Sequence, residues 1–476
     1  MASQDHPTSS PRILSLPAVL AFASVSIPIA ALQLAISVHL PRYFASSIGL
    51  ELAVVGSAFG LVRLIDIPID AGIGVAMDRT RTAFGRYRIW MLCGAPVLMF
   101  GLYMLLSAPS GVGLGYLVGW LLVMYLGYSG VYLSHLAWGA RLAPDYRQRS
   151  RIFGGITALG VSGAMAVLLI PVVMGQKGFS EAEGVQAMIW FIIGATPITA
   201  LVVLASTRET IAKDHAISFK ARDYLSLIRR GNVLRLLAAD FFVTLGPGWM
   251  AALYLFYFRD SRGFSIAEAN ILLMIYIAAG FAGAPFTAWL ANRISKHRAL
   301  MVNTTLYSIG LMILPFLPAG NFAIFAPLMF IVGAMAAGFT VMIRALAGDI
   351  ADELRLDSGR EWMGLIYAVT NATTKLAQAG AVLFTFNFAL TAVGYQAKTG
   401  AVNTPEAVRG LELAYIVGPI VFVMIAGSCF IGYRLSASRH AEIREKLAER
   451  DAIAEGGNLT EALAGDPEFP AVRSPS

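Results

Sequence analysis

The chain has 476 residues, of which 57% are hydrophobic and 14% are charged, and its formal net charge is +7. A soluble domain carries about a quarter charged residues, so this composition excludes an ordinary soluble protein and indicates a polytopic membrane protein. The basic residues stand in short loops between apolar runs, so the positive charge does not indicate nucleic-acid binding.

Twelve apolar runs are long enough to cross the roughly 30 Å of bilayer hydrocarbon. The predicted spans are 17–40, 48–76, 91–107, 112–135, 152–174, 186–206, 233–257, 267–290, 299–317, 321–344, 361–390 and 411–434. The N-terminal stretch lacks the features of a cleaved signal peptide, so the first run is expected to remain as a helix. The sequence therefore predicts an all-α membrane protein with twelve transmembrane helices.

A charged middle loop, 207–232, divides these spans into two sets of six. The predicted halves are 17–206 and 233–434, with an N-terminal tail at 1–16 and a C-terminal tail at 435–476. Basic loops follow the second and fourth spans and, in corresponding places, the eighth and tenth, which is typical of a transporter with two parallel halves. The positive-inside rule places both termini and the middle loop in the cytoplasm.

Two carboxylates, Asp66 and Asp70, lie inside the second span. Four residues apart on a helix, they share one face, and a charge at bilayer depth costs a few kcal/mol unless it meets a wet cavity. Two acids in a low dielectric do not both ionise cheaply, so the pair is expected to hold a cation or a proton. Pro68 between them frees a backbone carbonyl that is a further oxygen ligand. The alternative is that Asp66 pairs with Arg63 and Asp70 with another helix.

A lysine, Lys375, lies inside the eleventh span with Asn371 and Thr374 close by. It needs an anionic partner or water, and the two aspartates of the other half are the obvious candidates. We expect it to neutralise them when no cation is bound, or to line the same cavity. The alternative is a static charge pair that only holds the halves together. Tyr132 and Arg63 are expected to line this cavity too.

Charged residues at the cytoplasmic ends of several spans are predicted to form a latch that breaks and re-forms as the halves rock. This latch comprises Asp78, Arg79, Arg86, Arg141, Asp145, Arg149, Arg344 and Asp349. In it, Arg344 is expected to interact with Asp349. The alternative, plain topology signals, explains some of the arginines but not the interspersed acids.

Nothing in the sequence indicates an enzyme or a cofactor. There is no Gly-rich phosphate loop with a lysine, no cysteine–histidine metal spacing and no nucleophile motif. Only Cys93 and Cys429 are present, both in apolar segments, so neither a disulfide nor a metal site is expected.

Three segments carry a resemblance to a known family. They are Arg63-x-x-Asp66-x-x-x-Asp70-x-x-x-Gly74 with its continuation from Asp78 to Trp90, then Leu142 to Arg149, and then Gly359-Arg360-Glu361 followed by Gly364 and Lys375. They resemble the glycoside–pentoside–hexuronide:cation symporters, the melibiose-permease group of the major facilitator superfamily. The resemblance implies the major facilitator fold, a coupling Na⁺, Li⁺ or H⁺ bound by Asp66 and Asp70, and a lysine near that site.

The chain also departs from this family at several positions. Ala71 follows the second acid, where the family often has proline, and Tyr132 stands where the melibiose permeases have a third acid. Arg141 replaces a glutamate, and Ala30 and Thr157 stand where the family has charged residues that grip the sugar. The resemblance thus implies that the carboxylate pair is retained while the charged sugar clamp is lost.

These observations together predict Na⁺- or H⁺-coupled symport of a sugar, glycoside or uronide by alternating access. The expected partners are this small-molecule substrate and the lipid bilayer of the inner membrane, and the expected state is a monomer. One alternative is a proton-coupled exporter or a carrier of an amphipathic or lipid-like substrate on the same fold. Another is a non-transporting membrane sensor or assembly factor.

Overall fold

The computed structural model describes residues 14–109, 111–142, 146–207, 209, 221–360, 362–398, 400–433, 435 and 437–464. Regular structure in these residues is helical. The twelve long helices are Leu16–Ser47 (α1), Leu52–Arg79 (α2), Arg86–Leu106 (α3), Leu114–Leu142 (α4), Tyr146–Gln176 (α5), Glu181–Ser206 (α6), Gly231–Ser261 (α7), Ile266–Ile294 (α8), Lys296–Phe316 (α9), Phe322–Ser358 (α10), Met363–Phe384 continued by the π-helical Thr385–Leu390 (α11), and Pro405–Ser428 (α12).

Eleven of these helices among the described residues are long and apolar enough to cross a membrane. The exception is α11, which is long enough but less apolar because Asn371, Thr374 and Lys375 interrupt its hydrophobic residues. The predicted all-α membrane architecture is confirmed. Helix α11 is less apolar than the others because it brings polar side chains to the interior of the bundle.

Helices α1 and α10 both continue past their predicted C-terminal ends. Helix α1 continues to Ser47 rather than ending at residue 40, through the π-helical segments Ala35–His39 and Tyr43–Ser47. Helix α10 continues to Ser358 rather than ending at residue 344, and its 37 residues rise about 55 Å at 1.5 Å per residue. That length exceeds the thickness of the bilayer hydrocarbon, so the charged last turns of α10 extend beyond the bilayer core. Hydropathy does not predict a helix there because those turns are polar.

The two halves of six helices contact each other along three helix pairs. Across the bundle, α2 packs against α11, α5 against α8, and α1 against α7. Within the first half, α3 and α4 approach so closely that Gly101 and Gly127 leave no room for a Cβ against Met124 and Leu98. Such small-residue contacts are the usual way for membrane helices to pack.

A short linker helix, Ala221–Ile228, and a C-terminal helix, Ala437–Ala464, lie at the end of the bundle where α2 joins α3. Asp223 of the linker helix pairs with Arg360 at 3.3 Å, and the C-terminal helix packs on the extended part of α10. Arg355 of α10 pairs there with Asp451 at 3.1 Å. Both helices therefore join the second half at its polar rim.

Candidate functional site

The two predicted carboxylates and the predicted lysine meet between the halves. Lys375 Nζ of α11 donates a hydrogen bond to Asp66 Oδ2 of α2 at 2.6 Å, and also donates to Asp70 Oδ2. The Asp66 side chain is 1% exposed, whereas Asp70 and Lys375 are 17% and 21% exposed. One ammonium from the second half thus bridges two carboxylates of the first, which lie on one face of α2 as the spacing predicts.

The remaining oxygens of the two carboxylates differ in their surroundings. Ser129 Oγ of α4 donates to Asp66 Oδ1 at 3.2 Å. Asp70 Oδ1 is buried and has no hydrogen-bond partner in the described residues. A buried acceptor without a donor is uncommon, and it leaves one oxygen available to a further positive group.

Arg63, one turn before Asp66, does not pair with it. No ion pair within 4 Å joins these two described residues; instead the Arg63 guanidinium donates to Gln33 Oε1 at 3.1 Å. It also lies over the Tyr125 ring, 4.7 Å from the centroid. Asp66 therefore pairs with Lys375 and not with Arg63, contrary to the alternative considered from the sequence.

A cavity of about 1200 Å³ lies between the halves. Four of the side chains expected there line it, namely Arg63, Tyr132, Asn371 and Thr374. The lysine-bridged carboxylates lie beside the cavity rather than in its wall: Asp66 and Asp70 follow the lining residue Arg63 by one and two turns of α2, and Lys375 directly follows the lining residue Thr374. The expected constellation is therefore assembled in one place.

The cavity wall contains two charged residues that the sequence analysis did not place there. Asp240 of α7 is buried, and its Oδ2 accepts a hydrogen bond from Thr374 Oγ1 at 3.0 Å. It stands inside the apolar run 236–243, so the criterion that selects Asp66 would have selected it too. Arg344 of α10 is exposed in the cavity and forms no hydrogen bond or ion pair with any described residue.

Among the described residues the predicted latch is only partly assembled, and the ion pair it forms in the first half joins neighbouring helices of that half. Asp78 pairs with Arg86 at 3.4 Å, which joins α2 to α3, and Arg141 of α4 lies over the Tyr87 ring at 5.5 Å. Arg79 is exposed at the end of α2. These contacts brace neighbouring helices of the first half against one another.

The expected contact between Arg344 and Asp349 is not formed. Asp349 pairs instead with Lys296 of α9 at 2.5 Å and lies 3.3 Å from Nε2 of His440 in the C-terminal helix. Five residues apart on α10, the two side chains point in different directions, so Arg344 reaches the cavity and Asp349 the rim. Two other members of the predicted latch, Asp145 and the side chain of Arg149, lie outside the described residues.

The N-terminus of α3 is capped by a residue that the sequence analysis did not single out. Glu209, just after α6, accepts hydrogen bonds from the backbone N–H groups of Arg86, Tyr87 and Arg88 at 2.8, 3.0 and 3.3 Å. A carboxylate at a helix N-terminus satisfies free donors and interacts favourably with the helix dipole. It ties the end of α6 to the start of α3.

At the opposite end of the bundle, where α1 joins α2, an ion-pair network connects the halves. Arg42 of α1 donates to Glu181 at 2.8 Å and to Asp260 of α7 at 2.9 Å. Arg259 also pairs with Glu181, and the Tyr395 hydroxyl donates to Asp260 at 2.5 Å. We call these five residues the closing cluster. The Arg42 side chain in it is only 4% exposed.

Two further hydrogen bonds connect the halves at this end, from Ser46 Oγ to the Ala397 carbonyl at 2.7 Å and from Asn387 Nδ2 to Ser57 Oγ at 3.0 Å. The closing cluster and Lys375 supply further polar contacts between described residues of the two halves. These contacts join the halves at the α1–α2 end and at the lysine.

The oxygens at the bridged carboxylates suit a hard cation. Carboxylate and hydroxyl oxygens, here those of Asp66, Asp70 and Ser129, are ligands for alkali and alkaline-earth ions rather than for transition metals. No group of three or more His, Cys, Asp or Glu that would hold a metal occurs in the described part of the chain. The site could therefore take Na⁺ or a proton if the lysine withdrew.

Comparison with known sequences places this chain among carriers. The family pattern described as MFS/sugar transport protein matches residues 21–437. An isoprimeverose transporter of Lactiplantibacillus pentosus is 23% identical, with 88% of this chain and 89% of that protein covered. A glucuronide carrier protein homolog of Escherichia coli (strain K12) is 24% identical, with 88% and 92% covered.

Solved structures share the fold at low identity. The nucleoside transporter NupG superposes with a TM-score of 0.62 at 12% identity, with 88% of this chain and all of that chain covered. A bacterial homolog of the human lysosomal transporter Spinster, in an inward-facing and unoccupied conformation, gives a TM-score of 0.60 at 13% identity over 90% and 96% of the two chains. These likenesses show that the chain shares the fold of these proteins.

Proposed function

Because this chain belongs to the MFS/sugar transport protein family, whose members similar to it are carriers rather than enzymes, we propose that it couples the uptake of a sugar, glycoside or uronide to Na⁺ or H⁺. The isoprimeverose transporter and the glucuronide carrier homolog support a sugar-like substrate. Asp66 and Asp70 are the proposed cation site, and the cavity beside them is the proposed substrate site.

The contact that carries this proposal is the bridge from Lys375 to both carboxylates. The ammonium occupies the position where a coupling cation would be attracted, so lysine and cation compete for the same oxygens. A cation that displaces Lys375 also breaks the central polar link between the halves. The cation thereby changes the cavity in which the substrate binds, and by linkage the substrate changes the cation affinity equally.

The direction of opening follows from charge and contacts. Basic residues concentrate in the loops at the α2–α3 end, which the positive-inside rule assigns to the cytoplasm together with both termini. With the closing cluster joining the halves at the other end, this conformation is an inward-facing state. The Spinster homolog, whose fold matches, is also described as inward-facing, which supports this assignment. The carrier would work as a monomer in the inner membrane, with no cofactor beyond the coupling ion.

The test is transport by purified protein in lipid vesicles under an imposed Na⁺ or H⁺ gradient, with isoprimeverose and a β-glucuronide as probes. Asp70→Asn removes one carboxylate charge, so gradient-driven accumulation should fall at least about tenfold while substrate exchange persists. Glu51→Gln, an exposed acid before α2, is the matched control and should retain wild-type accumulation. Full accumulation in Asp70→Asn would contradict the proposal and favour a carrier or sensor that does not use these acids.

A further inference from the structure

The feature that the proposed cycle leaves unused is Arg344. Its guanidinium is exposed in the central cavity and forms no hydrogen bond or ion pair with any described residue. A guanidinium presents five donors in a rigid fork and stays charged in proteins. Such a charge within a membrane bundle is costly without a counter-charge, and intramembrane ionisable residues are functional by default.

The surroundings of Arg344 are polar and reach across both halves. Thr340, one turn earlier on α10, lines the same cavity. Arg344 lies close enough to Tyr132 of the first half and to Asp240 of α7 to interact with both electrostatically. Asp240, the acid in the cavity wall, already accepts a hydrogen bond from Thr374 and forms no ion pair with Arg344 within 4 Å. The fork of Arg344 is therefore available to a molecule in the cavity.

The charges in and beside the cavity balance in the empty carrier. In this region the described residues supply three acids and three bases, and they are Asp66, Asp70, Asp240, Arg63, Arg344 and Lys375. A coupling cation at the two bridged aspartates adds one positive charge. When the loaded cavity closes from water during alternating access, an uncompensated charge is unfavourable, so a substrate that supplies one negative charge is favoured.

We propose that Arg344 binds an anionic group of the substrate, and that the carrier moves one cation with one monoanionic, carboxylate-bearing sugar in an electroneutral step. This inference rests on the proposed cation site. A planar carboxylate fits the guanidinium fork in a bidentate manner. A phosphate monoester carries close to two negative charges at neutral pH, which would leave the loaded cavity negative. A uronide therefore fits both the geometry and the charge, and a neutral glycoside fits neither.

The experiment compares two ligands that differ only in the carboxylate, p-nitrophenyl β-glucuronide and p-nitrophenyl β-glucoside. Binding of each to the purified full-length carrier is measured in detergent by isothermal titration calorimetry, with Na⁺ present and, separately, at lowered pH. A charge-assisted bidentate contact should favour the glucuronide by about tenfold or more. Arg344→Gln should abolish this preference, and Arg344→Lys should retain part of it because the charge remains.

Arg293→Gln is the matched control, since Arg293 lies over the Trp289 ring outside the cavity, and it should bind like wild type. Glucuronide uptake into vesicles should also be insensitive to an imposed membrane potential. Equal binding of both ligands, binding of neither, or an unchanged preference in Arg344→Gln would overturn the inference, as would potential-driven uptake of the glucuronide. Because binding needs no gradient, selective binding without gradient-driven uptake would refute the cation coupling and leave the role of Arg344 standing.

Discussion

At the scale of residues, the site depends on the four oxygens of two carboxylates and on the one ammonium that bridges them. Lys375 reaches both Asp66 and Asp70, Ser129 takes a third oxygen, and the fourth is unpaired. Breaking a buried charge pair by removing one partner is expensive, but exchanging one positive partner for another is not. The arrangement is therefore suited to replacing an ammonium with a cation or a proton.

Replacing Lys375 with glutamine should strengthen cation binding. The variant Lys375→Gln removes the positive charge that competes for Asp66 and Asp70, so the affinity for the coupling cation should rise by about tenfold, equivalent to roughly 1.4 kcal/mol. Calorimetric titration of the purified carrier with Na⁺ would detect the higher affinity for Na⁺, and proton uptake measured on acidification would detect the higher affinity for a proton. Lys398→Gln, an exposed lysine at the closed end, is the control and should titrate like wild type. Weakened or absent cation binding in Lys375→Gln would show that the lysine supports the site rather than competes for it.

Which site residues the sequence reveals depends on whether a charge stands inside an apolar run or among the charges at its end. Asp66 and Asp70 are conspicuous as two acids inside the second apolar run, and Lys375 as a single charge inside the eleventh, and the structure brings the three together. Arg344 was predicted to belong to the latch because acids follow it closely in sequence, but the rotation of the helix separates their directions. Asp240 passes the same test as Asp66 and could have been found.

At the scale of elements, the closing cluster determines which end of the bundle is shut. It ties α1 and α6 of the first half to α7 of the second, and Tyr395 after α11 joins it. Arg42 in this cluster is buried, and the carboxylates of Glu181 and Asp260 are 19% and 29% exposed. Such partly buried, charge-assisted contacts are stronger than surface pairs yet can still separate during a transport cycle.

Arg42→Gln should loosen the closed end. The substitution leaves Glu181 and Asp260 with fewer partners and costs the closed arrangement about 1–3 kcal/mol, so the open form of this end should become populated. Disulfide formation between Ser46→Cys and Ala397→Cys measures closure, because these residues are hydrogen-bonded across the halves. The cross-linked fraction should drop markedly in the Arg42→Gln background.

The cross-linking comparison needs two safeguards. The native thiols of Cys93 and Cys429 are both free and are replaced by serine first. Arg409→Gln removes an exposed arginine at the start of α12 that forms no ion pair with the described residues, and cross-linking should stay at the wild-type level. Undiminished cross-linking in Arg42→Gln would mean that packing, not the ion pairs, holds this end shut.

The helices themselves were predictable, whereas their ends were not. The apolar runs locate helices α1 to α12, and for eleven of them this follows because a bilayer-spanning segment must be both long and hydrophobic, whereas α11 was located despite its polar residues. The π-helical extension of α1 and the polar extension of α10 escape that criterion, since both continue where hydropathy falls. The closing cluster was missed for a related reason: Arg42, Glu181 and Asp260 read as ordinary loop charges until the fold brings them together.

At the scale of the whole molecule, the two halves pack along three helix pairs, polar contacts join them at one end and at the lysine bridge, and the cavity lies between them. In the described part of the chain six long helices precede the middle loop and six membrane helices follow it, as the basic loops predict. Loop charges predict topology because translocation of positive residues is disfavoured. They contain no information on which end is closed, since that depends on side-chain contacts between distant segments.

The central claim is that Asp66 and Asp70 bind the ion that controls the substrate. Its most direct test is the dissociation constant of the bound sugar for purified carrier, measured across Na⁺ concentrations at fixed pH and across pH without Na⁺. Linkage predicts that one of these cations tightens sugar binding by about fivefold or more in the wild type. In the double variant Asp66→Asn/Asp70→Asn the dissociation constant should no longer depend on either cation. A cation dependence that survives in the double variant would contradict the account.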